Sequence, residues 1–383
     1  MTIRSFSSVA AVLTAFDIRP AIVPSRTIVV HDPLKDLDDT VAGVAEAGLH
    51  HEGMVEIVGA LGVLNPARER ARAIKGGFIE LGLPEIRVSS GSDITLKEYA
   101  FGYETCSYLA PEDTLVRGTS LLDETFSSAL SDLNLVIAAG MTDIAEAIRS
   151  DPDGVAQALA SVTIMGGVKI EQAWNGYKVV LNKDGFMEPD EGETAAANNN
   201  FDHKAAAAVY RFCQEYNVPL TVLTREAAYA CQINLGKFYG RMAATGSPIG
   251  SHLVETQAPS LRLLWARTNA PQDSELRGKL PMRCDRRWFV DTFCLGNDPG
   301  KVDDIWPHIR AGQAYDLMAF LASIPEIRDR FFAPVEVDVN GVVHRVIGLN
   351  QKWHNGEVAD VEGLREFMHE LCIATLIQYQ RKT

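Results

Sequence analysis

The sequence predicts an α/β fold in which a mostly parallel central sheet is flanked by helices. Short β-branched runs alternate with longer helical patterns along the chain, an order typical of βαβ units. The chain has 383 residues, enough for one large domain or two ordinary ones. Since neither an internal repeat nor a low-complexity tract interrupts the alternation, a single large domain with inserted loops is the simplest interpretation.

The elements follow from runs of apolar residues and their period. Strands are predicted at Thr27–His31, Val55–Gly59, Ile86–Ser89, Leu135–Ala139, Val162–Met165 and Leu220–Leu223. Helices are predicted at Ala67–Glu80, Met141–Arg149, Lys204–Glu215 and Gln313–Ala322. The chain ends in a short β pattern, Val335–Val339 with Val342–Val346, and a terminal helix near Val361–Tyr379.

Two segments are expected to lie outside this alternation. Residues 1–25 form an N-terminal extension, and the α/β domain covers residues 26–383. The stretch Thr256–Lys279 has an irregular, polar pattern. Together with Arg283–Asp298 it is interpreted as an insertion, about residues 256–298, near the mouth of a pocket.

Composition excludes several classes of protein. The net charge of −14 argues against a nucleic-acid-binding surface, which needs a basic patch. No apolar run approaches the roughly 20 residues that span a bilayer, so we expect no membrane partner. The six cysteines show neither a CxxC pair nor zinc spacing, which indicates reduced thiols. Ser8–Phe16 only weakly resembles a signal peptide, and a cytoplasmic protein is therefore expected.

An aspartate cluster follows the first predicted strand and is the most informative feature of the sequence. Asp32, Asp36, Asp38 and Asp39 place four carboxylates within eight residues. Carboxylates crowded at one strand end repel each other unless a cation or a bound donor lies among them. A hard divalent ion with oxygen ligands is the simplest such partner. The alternative is that the last two aspartates only favour the positive end of the following helix.

Four other stretches contain polar groups or glycines at predicted element ends. Gly140–Asp143 follows a strand, and the carbonyl of Thr142 is free to face a cation there. Ile164–Gly167 ends another strand in paired glycines, which allow a ligand close to the backbone. Asn198 lies in an asparagine run whose amides suit sugar hydroxyls. Asp316 stands within an apolar helical pattern and needs a partner if it is buried.

In this order, these motifs resemble the nucleoside hydrolases of the inosine-uridine-preferring type. The family opens with an aspartate cluster, often DxDxGxDD. The run from Asp32 to Asp39 reads DxxxDxDD and is closer to a DxGxDxDD variant, with Leu34 in place of the glycine. Other segments that are similar to family motifs are Gly91–Asp93, Gly140–Asp143, Ile164–Gly167, Asn198 with Asp202–Ala206, and Tyr315–Ala319. The resemblance covers residues 26–330 and marks the chain as a divergent member.

The resemblance implies hydrolysis of the N-glycosidic bond of a ribonucleoside to ribose and free base. It implies that calcium (Ca2+) is the cofactor, bound by Asp32, Asp39, the carbonyl of Thr142 and Asp316. Asp32 would also remove a proton from a metal-bound water, which attacks the anomeric carbon. The implied partner is a small-molecule nucleoside, and family members are commonly homo-oligomers, either dimers or tetramers.

The resemblance also implies which residues bind the sugar. Asp38 would accept hydrogen bonds from a ribose hydroxyl. Asp36 is an additional carboxylate of the opening motif, and the resemblance leaves open whether it does so instead. Asn198 would contact the sugar further along, and Met165 would line the floor of the ribose site.

Two departures affect the base and the 5′ end of the substrate. Tyr315 stands where the family often has the histidine that protonates the leaving base, and a phenol with a pKa near ~10 is a weaker acid. Ala196 replaces a glutamate that contacts the 5′-hydroxyl. Other residues that could take these roles are, for the sugar, Glu191 or Glu193 and, for the base, Trp288, His252 or Arg286.

Two other functions involve the same features of the sequence. A haloacid-dehalogenase-type phosphatase needs a DxD pair after its first strand, and the run His31–Leu34 does not supply it. A degenerate family member that binds a ribosyl ligand without efficient turnover is the stronger alternative. The missing histidine and Ala196 favour it, whereas the complete set of metal carboxylates favours an active enzyme.

Overall fold

The computed structural model describes residues 6–34, 37–94, 106–116, 120–173, 176–192, 194–278, 280, 282, 284–349 and 357–381. The strands are β1 (Ser25–His31), β2 (Val55–Gly62), β3 (Val88–Ser90), β4 (Leu133–Ile137), β5 (Leu159–Gly166), β6 (Ile170–Ala173), β7 (Gly176–Val179), β8 (Leu220–Thr224), β9 (Val335–Val339) and β10 (Val342–Ile347). The helices are α1 (Val9–Ala15), α2 (Asp38–His51), α3 (Ala67–Glu80), α4 (Ser120–Ser128), α5 (Thr142–Ser150), α6 (Pro152–Ala158), α7 (Ala197–Phe201), α8 (His203–Glu215), α9 (Arg225–Ala230), α10 (Leu235–Ala243), α11 (Pro248–Asn269), α12 (Arg286–Phe293), α13 (Tyr315–Ser323), α14 (Pro325–Phe331) and α15 (Val361–Tyr379).

A mostly parallel sheet forms the centre of the molecule. Its strand order within the described residues is β3-β2-β1-β4-β5-β8-β10-β9. Only the β9–β10 pair at one edge is antiparallel in this sheet. The chain moves from β1 outward to β2 and β3, then returns to place β4 on the other side of β1. Such a reversal leaves a crevice at the carboxyl ends of the strands, where ligands of α/β proteins bind.

Helices cover both faces of the sheet, so the core has two layers. In β1, Val29 packs into one core and its neighbours Ile28 and Val30 pack into the other, as expected for side chains that alternate along a strand. Residues of α2, α3, α13 and α15 belong to the first core, and residues of α5 and α8 belong to the second. Because both faces are covered, β1 reads as a continuous apolar run.

The structure confirms the α/β fold class and the single domain. Each predicted strand and helix overlaps an observed one, and α3 and α15 have the predicted bounds. The expectation of an irregular segment was wrong for residues 256–269, because α11 continues to Asn269 with Pro259 inside it. That helix buries Leu253, Ala258 and Leu261 against the core, which outweighs the proline. The antiparallel pair β6–β7 was missed.

Among the described helices, none combines the length and the apolar character that crossing a membrane requires.

Candidate functional site

Four carboxylates meet at the carboxyl edge of the sheet. Asp32 follows β1 directly, Asp38 and Asp39 lie in the first turn of α2, and Asp316 lies in the first turn of α13. Since α13 packs against α2 and β5, the two helix N-termini converge on the end of β1. Oxygen atoms of Asp38, Asp39 and Asp316 lie within 4.8 Å of one another. The backbone of Asp32 joins the cluster, because its N–H donates to Asp39 Oδ1 at 3.2 Å.

The cluster is almost completely shielded from solvent. The exposed fractions of Asp32, Asp38, Asp39 and Asp316 are 4%, 6%, 3% and 6%. Burial, and then the charges of the other aspartates, raise the pKa of Asp316 well above its ordinary value. The N-cap of α2 is Leu37, so neither aspartate of its first turn caps the helix through its side chain. Helix polarity favours carboxylates here but does not offset several buried charges.

These residues fit a hard divalent cation. All the side-chain donors of the cluster are carboxylate oxygens, the ligands that calcium and magnesium prefer. No hydrogen bond from the described residues reaches Asp39 Oδ2, although this atom is buried. A cation would give this oxygen a partner and would compensate the charge that raises the pKa of Asp316.

His31 connects the cluster to a further carboxylate. Its Nδ1 donates to Asp39 Oδ1 at 2.8 Å, and its Nε2 donates to Glu46 Oε1 at 2.7 Å. Burial disfavours the charged ring, but the charge of Glu46 and the two hydrogen bonds outweigh it and raise the pKa of His31 to about 10. His31 therefore remains positively charged at neutral pH and compensates part of the buried negative charge.

Arg70 fixes the backbone that carries the first aspartate. This fully buried side chain reaches from α3 to the loop after β1, where it donates to the carbonyls of Asp32, at 2.5 Å, and Pro33. It also donates to the carbonyl of Leu64, at 2.8 Å, in the loop after β2. Between these contacts and α2, Leu34 adopts a φ of 73°, in the region that favours glycine. The resemblance places a glycine of the opening motif at this position.

A cleft of about 260 Å³ opens above the carboxylates. Its lining contains the predicted site residues Asp32, Asp38, Asp39, Met165, Asn198, Tyr315 and Asp316. Sequence reasoning thus selected residues that the fold brings together from distant parts of the chain. Asp36, the other predicted sugar ligand, lies outside the described residues.

Thr142 does not line this cleft. It begins α5, and its hydroxyl donates to Asp202 Oδ2 at 2.9 Å, which ties α5 to the start of α8. Ala138, the first residue after β4, lines the cleft instead. The sequence analysis assigned only Thr142 to the metal site and placed Ala138 in the preceding strand.

Asn198 and Met165 form one wall of the cleft. Asn198 Nδ2 donates to the backbone carbonyl of Met165 at 3.1 Å, so the amide is held against the end of β5. Only 8% of Asn198 is exposed. With its nitrogen committed to the backbone, the amide oxygen is the group of Asn198 that is available to accept from a sugar hydroxyl.

Sequence reasoning missed two residues of the cleft, Arg225 and Tyr229. Arg225 follows β8 directly, and Tyr229 lies one turn later in α9. The Tyr229 ring lies 6.2 Å from that of Tyr315, in an edge-to-face arrangement. The strand-end argument that selected Asp32 would also have selected Arg225, because β8 was among the predicted strands.

The alternative residues for the base and the 5′ end that the structure describes lie outside the cleft. His252 is buried beside Tyr108, and the Arg286 guanidinium lies 4.6 Å from the centre of the Trp265 ring. Neither they nor Trp288 are among the cleft-lining residues. Glu191 pairs with Lys169 at 3.0 Å, whereas Glu193 lies outside the described residues.

Comparison with known proteins gives a match at the level of fold. No protein-family model matches the chain. A search of curated proteins likewise gives no match. Two solved effector proteins are 29% identical to this chain: XopQ complexed with adenosine diphosphate ribose, with a TM-score of 0.81, and XOO4466, with a TM-score of 0.79. Each alignment covers 96% of this chain, with 99% of the XopQ chain and 98% of the XOO4466 chain.

Solved nucleoside hydrolases share the same architecture at lower identity. The purine-preferring ribonucleoside hydrolase from Gardnerella vaginalis is 16% identical, with a TM-score of 0.55, over 92% of this chain and 99% of that one. The comparisons and the sheet topology together show that this chain has a nucleoside hydrolase-like α/β fold.

Proposed function

We propose that this protein is a calcium-dependent N-glycosidase that hydrolyses a ribonucleoside to ribose and free base. The observation that carries the proposal is the convergence of Asp32, Asp38, Asp39 and Asp316 in one buried cluster at the base of a cleft. Because burying four like charges is costly, the arrangement is accounted for by a cation that binds a ribosyl ligand through its hydroxyls.

Asp32, Asp39 and Asp316 are the proposed side-chain ligands of the cation. The resemblance adds a backbone carbonyl from the segment after β4 and assigns it to Thr142. Thr142 remains the proposed carbonyl ligand, and Ala138, which follows β4 directly, lines the cleft. When bound, a divalent cation lowers the pKa of a coordinated water and neutralises the surrounding carboxylates.

Each residue of the cleft then has its own role in the reaction. Asp32 accepts the proton of the attacking water, and the water oxygen bonds to the anomeric carbon as the bond to the base breaks. Asp38, or Asp36 of the same motif, accepts hydrogen bonds from the ribose hydroxyls. The amide oxygen of Asn198 accepts a further one, and Met165 packs against the ring.

Tyr315 is the proposed acid for the leaving base. It lies in the cleft one residue before Asp316, and its ring meets that of Tyr229. Two aromatic rings at the opening favour a flat, apolar base against them. The Tyr315 hydroxyl is a weaker acid than imidazolium, so we expect preference for bases that leave with little help from a proton.

The test is release of free ribose from a panel of purine and pyrimidine nucleosides. Wild type, Asp32→Ala and a chelator-treated sample are compared, with Asp153→Ala as a matched control on exposed α6. Release that requires Asp32 and calcium, but not Asp153, supports the proposal. Release that persists in Asp32→Ala or in chelator would contradict it. Sedimentation of the same samples would test the proposed dimer or tetramer.

The second candidate is a protein that binds a ribosyl ligand without efficient turnover. The XopQ structure, 29% identical over 96% of this chain, is a complex with adenosine diphosphate ribose. Tyr315 in place of a stronger acid points in the same direction. Calcium-dependent binding of ribosyl compounds, with no ribose released from any nucleoside, would favour this function over hydrolysis.

A further inference from the structure

A second cavity lies beside the acidic cleft and shares a wall with it. This cavity measures about 440 Å³, and its lining shares Ala195 and Arg225 with that of the cleft. The cleft by itself is smaller than the roughly 300–1,000 Å³ typical of small-molecule sites. The two compartments together therefore suit a ligand larger than a ribosyl group.

Two cationic side chains, Arg225 and Lys169, line the second cavity together with the carboxylates of Asp190, Glu191 and Glu226. Arg225 uses its Nε to bind Glu226 Oε1 at 3.1 Å, which leaves the other N–H groups of its guanidinium for a ligand. Its side chain is 29% exposed. Lys169 Nζ lies 3.0 Å from both Glu188 and Glu191 and is 36% exposed. Such partly exposed ion pairs are weak, so an anionic ligand competes with them.

The carboxylates near this junction are already occupied. Asp190, which also lines the second cavity, accepts from the backbone N–H of Ala196 and from Asn199 Nδ2, the latter at 2.6 Å. Glu191 and Glu226 are held by Lys169 and Arg225. Besides Arg225, the two linings share the uncharged residue Ala195, and Ala196 and Ala197 line the cleft. An anion bound at the other N–H groups of Arg225 therefore leaves the pair between Arg225 Nε and Glu226 in place.

We propose that Arg225, supported by Lys169, binds a phosphate or diphosphate group attached to the ribosyl moiety. The preferred ligand is then a phosphorylated ribosyl compound and not a free nucleoside. The chemistry matches, because the planar guanidinium donates two parallel hydrogen bonds to a phosphate and a lysine adds a point charge. This inference rests on the proposed function in one respect, namely that the acidic cleft holds the ribosyl group.

The test compares ribose 5-phosphate with ribose, by calorimetry on the calcium-loaded full chain. Neither compound has a base to lose, so the measurement does not depend on turnover. We expect ribose 5-phosphate to bind at least about tenfold more tightly, as a charge-assisted hydrogen bond predicts. Arg225→Gln should bring the ratio of the two affinities close to one, and Arg225→Lys should give an intermediate ratio. ADP-ribose, in a third arm, distinguishes a diphosphate from a monophosphate.

Matched variants distinguish phosphate binding at this site from a general effect of protein charge on affinity. Lys169→Gln should lower the ratio less than Arg225→Gln. Arg211→Gln removes an exposed arginine that pairs with Glu215 on α8, outside both cavities, and should keep the wild-type ratio. An equal loss of the ratio in Arg211→Gln would overturn the proposal.

The outcomes also separate this inference from the proposed function. Equal affinities of the wild type for ribose and ribose 5-phosphate would refute the phosphate site, while ribose release from nucleosides would still support hydrolysis. Failure of both compounds to bind would refute the ribosyl site and the phosphate site together. Preference for ribose 5-phosphate without any ribose release would support the phosphate site and indicate a binding protein.

Discussion

His31 and Asp39 form a buried hydrogen bond of 2.8 Å, and it is one of two that the imidazole makes to carboxylates. The other, at 2.7 Å, reaches Glu46, which lies seven residues further along α2. A cationic ring between two carboxylates orients Asp39 and leaves its Oδ2 for a cation. The proposed metal site therefore depends on a residue that lies outside the cleft.

Removing the hydrogen bonds of His31 to Asp39 and Glu46 should destabilise the fold. We expect His31→Gln to lower the free energy of unfolding by about 3 kcal/mol, because Glu46 loses its buried cationic partner. The double variant with Glu46→Gln should recover part of this loss, because Asp39 is then the remaining carboxylate that has lost its cationic partner. Chemical denaturation of the metal-free protein measures both. Equal losses in the single and double variants would indicate a steric role for His31 instead.

Calcium binding should release protons. Burial and the neighbouring aspartates raise the pKa of Asp316, so a proton is held there to a higher pH than usual in the metal-free state. Because a cation needs the deprotonated form, affinity should rise with pH until the raised pKa is passed. Calorimetry in buffers of different ionisation enthalpy gives the number of protons released. Asp316→Asn should lose both the release and most of the affinity.

Arg70→Met should weaken the loops that carry the site. The variant leaves the buried carbonyls of Asp32, Pro33 and Leu64 without this donor, at a cost of about 3 kcal/mol in unfolding free energy. Arg72→Met is the matched control on the same helix, because within the described part of the chain Arg72 makes one hydrogen bond, partly buried, to the carbonyl of Ala110. Similar midpoints of denaturation for the two variants would contradict this role of Arg70.

Tyr315→Phe should separate chemistry from metal binding. Removing the proposed acid should lower kcat by about 10²-fold or more. Calcium affinity should remain close to that of the wild type, since the phenol is not among the proposed ligands. Single-turnover kinetics and calorimetry give the two values. An unchanged kcat would show that another group, or the solvent, protonates the base.

Acid should unfold the protein partly through His344. Burial lowers the pKa of His344 to about 4, and its Nδ1 accepts the backbone N–H of Leu220 at 3.1 Å. The unfolded chain binds this proton near pH 6.5, so stability is full above that pH and falls as the pH drops towards 4. His344→Gln should reduce the slope by up to roughly 1.4 kcal/mol per pH unit. Denaturation between pH 7 and 4 tests this, and an unchanged slope would contradict it.

The sequence by itself determined the order of elements and most of the carboxylate site. Apolar runs fix β1 and α13 locally, and parallel topology brings strand ends to one edge, so Asp32 and Asp316 were predicted to meet although far apart in the chain. Both residues were selected because each is a carboxylate in or directly after an apolar run. Burying such a carboxylate costs free energy unless it has a partner.

Only the tertiary structure decided which neighbouring groups enter the cleft. Whether Ala138 or Thr142 lines it depends on where β4 ends and α5 begins, a matter of two or three residues that local propensity does not resolve. The bond from His31 to Glu46 joins residues 15 positions apart, on a strand and a helix. Such contacts depend on the packing of α2 against the sheet, and no local pattern encodes that geometry.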